Sequence, residues 1–224
     1  MTPATDTPLG IVAVHGVGHY DRHRTADAVR AAYSADWAGH LAAGLGVTAD
    51  RLDVAFAYYA PELHAGPTAH GGDPEELEDR LAKELMAEWL DALAAPAPVT
   101  QGALTLPLRY AASWVAEKFS LDGRLTHLFV GVFFREVAAY LRGDDDPPRL
   151  AAREEVAQRI AQHRPRLVIA HSLGAVVAYE ALHAHPELGV ELLLTLGSPL
   201  ALPRAIFDRL LPRPADGPTG RPML

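Results

Sequence analysis

The sequence predicts an α/β fold, with a parallel sheet of at least four strands flanked by helices. Four short apolar runs, beginning at Leu9, Leu52, Leu167 and Val190, are typical of strands buried on both faces. Stretches with helical periodicity separate them, and strand–helix–strand units of this kind form right-handed crossovers in a parallel sheet. Because 49% of the 224 residues are hydrophobic, the chain can bury a substantial core. We therefore expect a single domain over residues 1–224.

The first part of the chain predicts one strand–helix–strand unit. A β-branched apolar run over 9–15 predicts a strand that ends in a glycine-rich turn at 15–18 (HGVG). Apolar residues then recur at three- and four-residue steps from about 25 to 45, which predicts an amphipathic helix. The next strand covers 52–59 and is stopped by Pro61.

Residues 61–148 interrupt this alternation with a helical insert. The sequence Asp-Pro-Glu-Glu at 73–76 combines an N-cap, a first-turn proline and a capping-box glutamate, and predicts a helix to about Leu93. Two further helices are predicted over 108–119 and 125–141, the second more apolar than one buried face requires. We expect this insert to lie between the second strand and the third strand.

The stretch from Leu167 to Leu182 carries the clearest functional motif. A buried strand leads into residues 170–174 (AHSLG), and an apolar, alanine-rich helix follows. Small residues on both sides of Ser172 allow a sharp turn from strand to helix. Such a turn presents the serine hydroxyl at the edge of the sheet, beside the N-terminal amides of the helix.

This stretch resembles the nucleophile elbow of the α/β-hydrolase family, usually written G-x-S-x-G, with Ala170 in place of the first glycine. The resemblance implies a lipase- or esterase-like serine hydrolase in which Ser172 forms an acyl-enzyme. It also implies an oxyanion hole formed by the backbone amides of Val17 and Leu173. In this family, helices inserted between sheet strands form a lid over the active site; for residues 61–148 the alternative is a helical layer that packs on the sheet.

The Gly16-x-Gly18 turn has a second interpretation as a nucleotide-binding loop. The third glycine of a dinucleotide motif would fall at Asp21, where it is missing. The oxyanion interpretation is therefore preferred, because it agrees with the downstream elbow.

The general base is the part of the pattern that the chain lacks. In the family, the acid and the histidine follow the nucleophile in that order. The histidines after Ser172 are His183 and His185, and His183 lies roughly 16 Å along the elbow helix from the serine. We therefore expect an incomplete catalytic triad, as in a truncated hydrolase.

Histidines before the serine are the remaining candidates. His171 is expected to project away from the hydroxyl, and His15 to brace its turn. His19, just past the oxyanion turn, is the one stand-in base that we consider. His64 and His70 lack the spacing of a metal pair.

Composition excludes several classes of function. The net charge of −8 and the pI near 5.7 argue against a nucleic-acid partner. The chain has no cysteine, which excludes disulfides, thiolate nucleophiles and cysteine-based zinc sites. Acidic residues 144–146 predict a solvated loop that also N-caps a helix after Pro147, not a metal site. We see no signal peptide, and charged residues interrupt the apolar stretch 125–141, so no membrane span is expected.

Two functions follow from these observations. The first is hydrolysis of a carboxylic ester, amide or thioester through an acyl-enzyme on Ser172, with a small-molecule or lipid-like acyl substrate, in the cytoplasm and without cofactor or metal. Because the triad is incomplete, we expect this activity to be impaired in the chain as given. The second is a catalytically silent, hydrolase-like module that binds a ligand or a protein partner. Self-association is expected in either case, because the predicted fourth strand leaves an apolar sheet edge.

Overall fold

The computed structural model describes residues 7–64, 79–93, 108–120 and 122–213. In these residues an all-parallel, four-stranded sheet is flanked by helices, which confirms the predicted α/β class. The strands are β1 (Leu9–Val14), β2 (Leu52–Ala57), β3 (Leu167–His171) and β4 (Leu192–Leu196). The helices are α1 (Ala26–Leu45), α2 (Ala60–Leu63), α3 (Arg80–Ala92), α4 (Leu108–Phe119), α5 (Gly123–Leu141), α6 (Pro147–His163) and α7 (Leu173–Ala184).

The strand order is β2-β1-β3-β4. The chain passes from β1 to β2 on one side, and then crosses to the other side of β1 to form β3. In open parallel sheets, ligands bind outside the carboxyl ends of the strands, at the point where the order reverses. Here that point lies between β1 and β3, where Val14 is paired with Ala170.

The chain divides into two compact units. One contains residues up to Tyr59 and residues 151–198, and therefore the whole sheet. The other contains residues 60–150 and the chain from Pro199 onward. The first segment of this second unit nearly coincides with the predicted helical insert at 61–148.

The core of the sheet-containing unit follows the apolar pattern of the sequence. Ile11, Ala42, Leu52 and Ile169 form one buried cluster, against which Trp37 of the amphipathic helix α1 packs. Helix α7 is buried continuously from its first residue to Ala181, as expected for a helix without a polar face.

The second unit differs from the prediction at the start of α3. Asp79 has an extended backbone and its side chain accepts hydrogen bonds from the amides of Leu81 and Ala82 at 2.8 and 3.2 Å, so the helix begins at Arg80. The expected start at 73–76 lies outside the described residues. A continuous helix from there is wrong, because Asp79 is the N-cap.

Helix α5 divides its aromatic side chains between buried and exposed positions. Phe134 is buried and meets Trp89 of α3 edge to face at 5.4 Å, whereas Phe129 is 52% exposed. Phe134 is thus a core residue of the second unit. The lid interpretation stays a prediction, and Phe129 is the aromatic side chain of α5 with which to test it.

None of the described helices combines the length and the apolar character needed to cross a membrane.

Candidate active site

Ser172 lies between β3 and α7 in a strained backbone conformation, with φ 51° and ψ −125°. Few residues other than glycine adopt positive φ, and such residues cluster at functional sites. The Ser172 amide donates to the carbonyl of Leu196 at 2.9 Å, and its own carbonyl accepts from Ala175 at 3.0 Å. These two bonds hold the serine between the last hydrogen bond of the sheet and the first turn of the helix.

Two glycines allow the β1 turn and the elbow to approach each other closely. A Cβ added at Gly16 would lie 2.8 Å from Nδ1 of His171 and 2.9 Å from Cβ of Ser172. A Cβ added at Gly174 would overlap the carbonyl oxygen of His15. The turn after β1 and the start of α7 therefore meet at the topological switch point, with Ser172 between them.

The amides expected to form the oxyanion hole belong to this junction. Leu173 is buried and is the first residue of α7, so its N–H has no intrahelical acceptor and carries part of the positive end of the helix dipole. Val17 follows Gly16 in the turn and is half-buried. Their role toward an oxyanion stays a prediction.

His15 is fixed by hydrogen bonds on both ring nitrogens. Its Nδ1 lies 2.6 Å from the carbonyl of Gly16, and its Nε2 accepts the backbone N–H of Tyr59 at 3.1 Å. The Tyr59 hydroxyl donates to the His15 carbonyl at 2.9 Å, and the two rings stack at 4.0 Å. Burial, and after it the nearby His19, lowers the pKa of His15 to about 3. His15 is therefore a neutral structural residue, in agreement with its expected bracing role.

Sequence reasoning missed Tyr59 as a partner of this turn. The two residues are 44 positions apart, and no local pattern links them. The pairing of Val14 with Ala57 in the sheet brings them together.

His19, the predicted stand-in base, lies beside His15 with the ring centroids 4.9 Å apart. Its Nδ1 is 3.1 Å from the carbonyl of Val17, so Nδ1 carries the proton and Nε2 is the basic nitrogen of the neutral ring. Burial lowers the pKa of His19, and the nearby His171 lowers it further. At neutral pH His19 is thus in the protonation state that a general base needs.

The histidines on the elbow helix are engaged elsewhere. Nδ1 of His183 lies 2.9 Å from the carbonyl of Tyr179, one turn earlier. His185 pairs with Glu154 at 3.3 Å and with Glu187 at 3.2 Å. As expected, both occupy the C-terminal end of the helix rather than a position beside the serine.

The interpretation of the β1 turn as a nucleotide-binding loop is not supported. That motif needs a helix that opens directly on the glycine turn. Here α1 begins at Ala26, with Thr25 as its N-cap, well after Gly18.

The residues considered for metal binding have other partners. No group of three or more histidine or acidic side chains in the described part of the chain could hold a metal ion. His64 contacts the carbonyl of Ala60 at 2.9 Å, and His70 lies outside the described residues. Asp144 pairs with Arg213 at 2.7 Å.

The chain was also compared with known proteins. No protein-family model, curated protein or solved structure matches it.

Proposed function

We propose that Ser172 is the nucleophile of a serine hydrolase that acts on carboxylic esters, amides or thioesters. The observation that carries the proposal is the strained backbone of Ser172 at the junction of a parallel strand and a buried helix. A non-glycine residue in this region of φ and ψ costs about 1–3 kcal/mol, and such a cost persists mainly where function needs the geometry. The position at the switch point of the sheet, which is the common ligand site of such folds, supports the same conclusion.

The reaction follows from the groups at the junction. The Ser172 hydroxyl attacks the acyl carbon while its proton passes to a base, and the carbonyl oxygen becomes an oxyanion. The amides of Leu173 and Val17 donate to this oxyanion; one such donor contributes about 3 kcal/mol. The intermediate then releases the alcohol, amine or thiol, which takes the proton from the base. Water hydrolyses the acyl-enzyme by the same steps.

The base in this proposal is His19. The hydrogen bond from Nδ1 to the carbonyl of Val17 fixes the tautomer, as a carboxylate does in a triad, and leaves Nε2 as the basic nitrogen. His15 is a poor alternative because both its ring nitrogens are bonded within the fold.

Fluorophosphonate labelling tests the nucleophile. The Ser172 oxygen would displace fluoride from phosphorus, and peptide mass spectrometry would locate the adduct. We expect one adduct, on Ser172, that is absent from the Ser172→Ala variant. Ser198, which follows β4, should stay unmodified and serves as the internal control. An adduct elsewhere, with Ser172 unmodified, would refute the proposal.

The second candidate function is a catalytically silent module that binds a ligand at the same junction. It is favoured by one observation: no hydrogen bond to the Ser172 hydroxyl is found among the described residues. Hydrolysis of short p-nitrophenyl esters separates the candidates. Turnover that disappears in Ser172→Ala supports the hydrolase, and equal rates for both proteins support the silent module.

A further inference from the structure

A cavity of about 390 Å³ lies in the loop between β1 and α1. It is lined by the consecutive residues 18–24 and by Tyr33 of α1, all within the sheet-containing unit. Its volume is in the range of small-molecule binding sites. The lining is unusual for this acidic chain, because it contains two arginines and one carboxylate.

Asp21 shapes the loop through its own hydrogen bonds. Its carboxylate accepts the backbone N–H groups of His23 and Arg24 at 2.8 and 3.2 Å, and pairs with Nε of Arg24 at 2.6 Å. The Asp21 amide donates to the Tyr58 hydroxyl at 3.0 Å, which ties the loop to the chain after β2. The Asp21 carboxylate, which is the negative charge in the lining, is therefore already paired within the loop and stabilises its conformation.

The two guanidinium groups supply the donors of the cavity. Arg24 lies over the ring of Tyr33, 5.9 Å from its centroid, and its Nε–H is the donor used by Asp21. Arg22 uses its Nε–H for His23, at 3.1 Å. A guanidinium group has four further N–H donors, in a planar array that suits the oxygens of carboxylate and phosphate.

His19 connects this cavity to the proposed catalytic serine. It lines the cavity and also stacks on His15, whose neighbour Gly16 packs against Ser172. His19 is thus shared by the lining of the cavity and by the ring stack beside the turn that packs against Ser172.

We propose that this cavity binds a carboxylate or phosphate group of a small molecule through Arg22 and Arg24. Given the proposed function, on which this inference rests, the substrate is an ester, amide or thioester that carries an anionic group. An uncharged acyl ester lacks the group that these arginines recognise.

The test is a binding titration of the whole chain, followed by NMR of the arginine Nε–H groups and the amides of 18–24. Glutarate represents the carboxylate, phenyl phosphate represents the phosphate, and glutaramide is the uncharged control, all at constant ionic strength. We expect saturable shifts at Arg22 and Arg24 with one or both anions and none with glutaramide. The anion that binds more tightly identifies the group.

Variants make the assignment specific. Arg22→Gln should weaken anion binding at least fivefold, and Arg24→Lys, which keeps the charge but loses the planar array, should also weaken it. Arg135→Gln removes one exposed positive charge from the other compact unit and should leave the Kd unchanged. Equal Kd values for Arg22→Gln and Arg135→Gln, or shifts spread over the whole surface, would overturn the proposal.

The binding experiment is independent of turnover. Lost anion binding with intact labelling of Ser172 would refute the cavity but not the hydrolase. Specific anion binding without labelling would refute the hydrolase and leave an anion-binding module.

Discussion

Gly174 packs directly against the carbonyl group of His15, with no room for a side chain. A Cβ at position 174 would overlap that oxygen and would lie 3.0 Å from the carbonyl oxygen of Val14. Both obstacles are backbone atoms, which cannot rotate away. This contact explains why a glycine stands two residues after the serine in this chain: the N-terminus of α7 can then reach the end of the neighbouring strand β1.

We predict that Gly174→Ala destabilises the protein by several kcal/mol, because overpacking typically costs about 1–3 kcal/mol even where side chains can adjust. The control is Gly39→Ala in the interior of α1, where a Cβ meets nothing within 4 Å. That change should stabilise the protein by up to about 1 kcal/mol. Urea unfolding of both variants measures the difference, and a neutral Gly174→Ala would contradict the close contact.

The second prediction concerns the strain at Ser172. Glycine adopts positive φ without a Cβ clash, which favours Ser172→Gly over Ser172→Ala. Glycine also raises the entropy of the unfolded chain, which offsets part of this gain. We therefore expect Ser172→Gly to be more stable than Ser172→Ala by roughly 1 kcal/mol. Both variants lack the hydroxyl, so the comparison isolates the backbone. Equal unfolding free energies would mean that the serine position is not strained.

Much of this site was predictable because its elements are local. The apolar run, the small residues of 170–174 and the helix predicted the strand–turn–helix around Ser172, and the turn after β1 was recognised by its glycines. The mutual packing of Gly16 and Gly174 was not predictable, since it depends on which strands become neighbours. The same is true of the hydrogen bonds and ring stacking between His15 and Tyr59, because only the β1–β2 register brings these two residues together.

The third prediction concerns acid stability. The pKa of His15 is about 3 in the folded protein and lies near its ordinary value of 6.5 in the unfolded chain. The unfolded state therefore binds the extra proton between these values, and stability falls as the pH drops from about 6.5 toward 3. His15 therefore lowers the free energy of unfolding by up to about 1.4 kcal/mol for each pH unit in this range.

The free energy of unfolding, measured with urea at several pH values between 4 and 6.5, should depend less steeply on pH for His15→Asn than for the original chain. If the variant fails to fold, ring NMR of the original protein replaces the comparison. His15 should then keep the spectrum of a neutral ring, protonated on Nδ1, down to pH 4. A His15 that titrates near 6.5 would contradict the prediction.

The fourth prediction concerns the outer edge of the sheet. Leu192, Leu194 and Leu196 of β4 are 57%, 43% and 42% exposed, and no strand among the described residues pairs with the outer side of β4. Alternate leucines on an open edge favour pairing with another chain. The self-association expected from the sequence therefore stays a prediction, now assigned to these three residues.

Lysine at the edge should suppress that association. Leu194→Lys should shift the protein toward monomer in sedimentation velocity. Val47→Lys replaces a hydrophobic residue of equal exposure, 43%, that lies away from the edge. This control variant should not change the oligomeric state. A protein that is monomeric without either change would remove the basis of the prediction.

The last prediction assigns the general base. If His19 accepts the Ser172 proton, His19→Gln should slow fluorophosphonate labelling of Ser172 by about 100-fold or more, the usual contribution of a general base. The control is His23→Gln, which changes another histidine in the lining of the same cavity and should leave the rate nearly unchanged. Because burial lowers the pKa of His19, the labelling rate of the original chain should decline only below pH 6.5, as His19 becomes protonated and loses its basic nitrogen. Circular dichroism of both variants verifies that they are folded. A folded His19→Gln protein that labels at the original rate would exclude His19 and leave His171, next to the serine, as the histidine to change next.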